Sequence, residues 1–129
     1  MPGALSQWAS TNLSTRMHNE LIVLNDQFNL AHSAVFRVMD PDGPRFREEF
    51  SRFLNNLGAS LVGNRKTDSA KDAYLLSLEI FETEMALMAL VLLFFEDTSR
   101  DRAREYALRF ISLSEKNTTT EFMKAVANF

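Results

Sequence analysis

Glu79 and Glu82 stand three positions apart inside a helical pattern, so the spacing predicts two carboxylates on adjacent turns of one helix face. Hard divalent cations take oxygen ligands, and such a pair could hold Mg²⁺ against nucleotide phosphates. That chemistry needs a second acidic pair on a facing helix. Glu48-Glu49 is the candidate, but adjacent residues point about 100° apart around a helix and do not easily face one ion. A Mg²⁺-dependent all-α nucleotide hydrolase centred on Glu79 and Glu82 is therefore an alternative reading, set against a solvated acidic face. The two histidines, His18 and His32, are 14 residues apart on one expected helix. They would lie ~21 Å from each other along its axis, too far to share a metal. Neither follows a Glu by three positions, so the Glu-x-x-His signature of di-iron bundles is missing.

Basic residues gather as Arg45, Arg47 and Arg52, and again as Arg100, Arg102, Arg104 and Arg109. The second group could contact phosphates, which makes a nucleic-acid-binding regulator the other alternative. Asp101 and Glu105 interleave with it and the chain is net acidic, at −3, so ion pairing with neighbouring helices is the simpler use. Four scattered glycines assemble no phosphate loop, dinucleotide fingerprint or nucleophile elbow. With no cysteine, disulfides, thiolate metal sites and a cysteine nucleophile are excluded. No catalytic residue and no cofactor are expected.

The elements that would position these residues read as all-α, a bundle of four principal helices plus a short C-terminal helix in one domain over 1–129. Residues 1–12 are expected to be partly ordered. Met17, Leu21, Leu24, Phe28, Ala31, Val35 and Val38 alternate four and three apart, a seam at heptad spacing on a first helix from about Leu13 to Met39. At ~40 Å that helix is long for a chain of this size, which suggests pairing with a second copy. Asp40-Pro41-Asp42-Gly43-Pro44 ends it. The second helix follows from about Pro44 to Val62, with Phe46, Phe50, Phe53, Leu57 and Leu61 inward and Gly63 placed to close it.

A third helix is expected to begin after Asp68 or Ser69, either of which could cap it, and to end near Phe95 or Glu96. Its second half, Met85–Phe95, carries no charge and should be buried on all sides as the central helix. It is too short to span a bilayer, and no membrane span is expected. The fourth helix starts at Thr98 or Ser99, with Ala103, Tyr106, Ala107, Phe110, Ile111 and Leu113 inward. A capping box Thr118-x-x-Glu121 opens a fifth, with Phe122, Val126 and Phe129 apolar. Charge is uneven, with −6 over residues 67–97 (Lys71 against seven carboxylates) and slightly basic flanks.

These features point to a non-enzymatic helical protein that self-associates, as a homodimer, and binds a protein partner as adaptor, regulator or antagonist. The interface residues expected from the seam are Met17, Leu21, Leu24, Phe28 and Val35, with Trp8 just before it. The N-terminus lacks a basic region followed by a long apolar stretch, so a soluble, cytoplasmic location is expected.

Overall fold

A computed structural model describes residues 4–113 and 118–128. Among them every regular element is helical and no strand occurs. Contacts divide the chain into two compact units, Met1–Phe81 and Glu82–Phe129.

The N-terminal unit holds α1 (Ala4–Asn12), α2 (Thr15–Phe28), a 3₁₀ turn (Leu30–His32), α3 (Ala34–Val38), α4 (Phe46–Gly63) and α5 (Thr67–Ile80). Of the segment 1–12, expected to be partly ordered, the described residues form α1, which buries Leu5, Trp8 and Ala9. The expected long first helix is instead three pieces. Asn29 takes the left-handed conformation (φ 57°), which asparagine tolerates better than most residues. The Asn25 side-chain carbonyl then accepts from the Ala31 amide at 2.8 Å and holds the turn. The seam therefore cannot act as one 40 Å rod.

The core of this unit is aromatic. Trp8 and Phe36 each meet both Phe46 and Phe50 edge-to-face, at centroid distances of 4.9–5.5 Å, tying α1 and α3 to α4. Helix α4 packs most extensively on α5. Close approach is possible because Gly58 lies beneath the Tyr74 ring, where an added Cβ would come within 2.7 Å of ring carbons. The ring is buried, so making space for a methyl group means shifting a packed side chain. Gly58→Ala should therefore lower stability by about 1–3 kcal/mol despite alanine's better helix propensity, read as a lower urea midpoint.

Two α4 side chains also decide where α5 stops. The last carbonyls of a helix have no intrahelical partner. Ser51 Oγ lies 3.1 Å from the Ser77 carbonyl and 2.7 Å from that of Phe81, while Arg47 donates to the carbonyls of Ile80 (2.8 Å) and Glu79 (3.3 Å). Phe81 is extended, and the expected continuous third helix ends there.

The C-terminal unit comprises α6 (Glu84–Glu96), α7 (Arg100–Leu113) and α8 (Thr118–Ala127). Helix α7 packs on both α6 and α8. Its inward residues are Ala103, Tyr106, Ala107 and Phe110, whereas Ile111 is half-buried and Leu113 exposed, contrary to expectation. Met123 and Val126 of α8 are buried. The proposed capping-box side chains, Phe122 and Phe129 lie outside the described side chains.

Both α4 and α6 close on left-handed residues other than glycine. At the end of α4, Arg65 (φ 63°) takes that role, with Lys66 N donating to Leu61 O and Arg65 N to Val62 O. Gly63, expected to close the helix, is its last helical residue. At the end of α6, Thr98 (φ 60°) does the same, with Ser99 N donating to Phe94 O and Thr98 N to Phe95 O.

Candidate protein-binding face

Helix α6 starts at Thr83, whose hydroxyl accepts from the Ala86 amide at 3.3 Å, and Glu84 in its first turn complements the helix dipole. Beyond that the helix is apolar, and an apolar helix has no polar face to turn toward water. Ala86, Leu87, Leu90, Val91, Leu93 and Phe94 are buried. The expectation of burial on every side is nevertheless wrong. Met85 is 55% exposed, Met88 38%, Leu92 45% and Phe95 40%. Their spacing of three, four and three puts them on one stripe, the pattern of a helix–helix seam. Single exposed apolar residues are ordinary, but a continuous stripe marks a contact surface.

The residues expected to form the interface are placed differently. Trp8, Leu21, Leu24 and Val35 are buried inside the N-terminal unit, and Met17 and Phe28 are half-buried. The Lys66 ammonium lies over the Phe28 ring at 5.8 Å. The four buried side chains belong to the core of the unit, whereas Met17 and Phe28 keep part of their surface open. Much of the heptad seam is thus buried by the chain itself, although Val38 at its end is 80% exposed.

The arginines of α7 are engaged as well. Arg102 stacks over Phe94 at 4.4 Å, Phe94 stacks on Tyr106 (5.6 Å, 13°), and Arg109 lies 5.6 Å from the Tyr106 ring centre. Arg109 also pairs with Glu82 at 3.0 Å, and Arg104 approaches Asp101 at 3.9 Å. Arg100 too makes an interaction. The contacts of Arg102 and Arg109 join α7 to α6, while Arg100, Arg102 and Arg104 stay exposed. In the other basic group, Arg52 pairs with Glu48, Arg45 with Glu49, and Arg47 serves the end of α5.

Glu79 and Glu82 do not form a pair. Glu79 ends α5 and accepts from Ser14 Oγ at 3.0 Å, whereas Glu82 lies past the helix break and binds Arg109. Among the described residues no cluster of three or more carboxylates or histidines could hold a metal. No helix among them is long and apolar enough to cross a membrane.

One carboxyl is electrostatically uncomfortable. Burial, then Glu20, then Asp68 raise the Asp72 pKa above its ordinary 3.8, while Arg16 and Lys71 oppose the shift. A carboxyl raised on folding binds its proton more tightly in the folded chain, so its ionised form subtracts from stability at neutral pH. Asp72→Asn should raise the urea midpoint at pH 7. The advantage should shrink as pH falls through the raised pKa toward 3.8, as a midpoint series from pH 7 to pH 4 would show.

Compared with known proteins, the chain matches no family model, no curated protein and no solved structure.

Proposed function

We propose that this chain is a non-enzymatic helical protein that acts by binding another protein, as an adaptor, regulator or antagonist. The observation that supports this reading is the exposed stripe Met85, Met88, Leu92 and Phe95 on α6. Burying apolar surface gives about 25 cal/mol per Å², and a stripe of long, flexible side chains is suited to a helical ligand. Self-association, expected from the first-helix seam, is assigned to this face instead, because Leu21, Leu24 and Val35 of that seam are buried.

The test is capture with the immobilised full chain, in parallel with a Met88→Ser/Leu92→Ser variant of unchanged helicity. Sedimentation at tens of micromolar runs alongside. The reading expects a protein captured, or a dimer formed, by the natural chain and lost in the variant. Identical behaviour of the two chains in both assays contradicts it.

A further inference from the structure

We infer that the occupant of the α6 stripe is an amphipathic helix of another protein, with basic residues at both ends of its apolar face. This rests on the protein-binding reading and specifies the partner's chemistry. Glu84 and Glu96 are the first and last residues of α6, one at each end of the stripe, and both are exposed. Neither has an ion-pair partner among the described residues. Twelve positions separate them, or ~18 Å along the axis. The surface is thus an apolar bar with an exposed carboxylate at each end that forms no ion pair among the described residues.

That pattern selects among occupants. Helix α6 contains no basic residue. A second α6 laid against the first, parallel or antiparallel, sets carboxylate against carboxylate at both ends of the bar, and like charges held together are destabilising. An anionic lipid surface meets the same repulsion. A partner helix with Lys or Arg at both ends satisfies the carboxylates while its apolar side chains cover the bar. Met85 and Met88 add adaptability, since methionine is unbranched and fits irregular partners.

The test uses two labelled helical peptides that share leucines at heptad spacing. One carries lysine at both ends, about 18 Å apart, and the other carries glutamate. Each is titrated with the full chain at low salt and followed by fluorescence anisotropy. The lysine-ended peptide should bind about tenfold more tightly than its twin, and added salt should narrow the gap. Glu84→Lys/Glu96→Lys should invert the preference. Glu96→Lys alone puts a favourable charge at a helix C-terminus, so it should keep the fold and still weaken binding of the lysine-ended peptide.

Equal binding of the two peptides, or stripe-dependent dimerisation in sedimentation, overturns the basic-ended helix. If Leu92→Ser abolishes that binding or dimerisation, the protein-binding reading survives. If neither peptide binds, the basic-ended helix is overturned, and the protein-binding reading falls with it only if capture and sedimentation also show no difference between the natural chain and the Met88→Ser/Leu92→Ser variant.

Discussion

Leu90→Ala should destabilise the C-terminal unit by about 2–5 kcal/mol, whereas Leu92→Ala should change its stability by no more than about 0.5 kcal/mol. The two leucines stand two positions apart in one uninterrupted apolar run, and nothing in their local sequence distinguishes them. A separation of two residues turns a helix by about 200°, which places them on opposite sides. Leu90 is fully buried and Leu92 is 45% exposed. Truncating Leu90 removes its transfer free energy and leaves a cavity; truncating Leu92, nearly half of it already in water, leaves a site open to solvent and no enclosed cavity. Urea denaturation of both variants followed by far-UV circular dichroism checks this. Equal losses would mean that α6 is enclosed on all sides, as its composition alone suggests.

The second large effect is expected at Phe50. Its side chain is fully buried and its ring meets those of Trp8, Phe36, Phe46 and Phe53. Phe50→Ala therefore empties the point where α1, α3 and α4 converge, at about 3–5 kcal/mol. Total stabilities of about 5–15 kcal/mol leave little after such a loss. Trp8, the single tryptophan, reports on the site directly. Its emission should move to the red in Phe50→Ala, with a lower denaturation midpoint. An unchanged spectrum and midpoint would show that the cluster does not hold the unit together.

How far these features were legible depended on the range of the interaction that causes them. All-α structure was readable because the apolar period persists between breakers; α4 lies within two residues of its expected limits and α7 begins within two of its expected start. The break at Asn29 had only a weak local signal, an asparagine that can cap a helix but need not. The break after Ile80 had one local sign, Thr83 followed by Glu84, which reads as a helix start only if the preceding helix has ended. What ends it comes from Arg47 and Ser51, about 30 residues earlier, which satisfy the final carbonyls of α5; no local window contains that information. The same holds for the exposed stripe. An apolar run announces a wish to be covered and does not say by what. The heptad seam of the first helix misled for the related reason that periodicity identifies a buried face without saying whether the chain itself buries it. Glu79 and Glu82 were matched on the assumption of an unbroken helix, and they separate once it ends at Ile80.

Oxidative footprinting of the methionines in the isolated chain, diluted until sedimentation shows a monomer, tests the open α6 face most directly. Met85 and Met88 should form sulfoxides readily under mild peroxide, while Met123, fully buried on α8, should resist until the chain unfolds. Protection of Met85 and Met88 as strong as that of Met123 would contradict the account, because the surface proposed to bind a partner would then be closed.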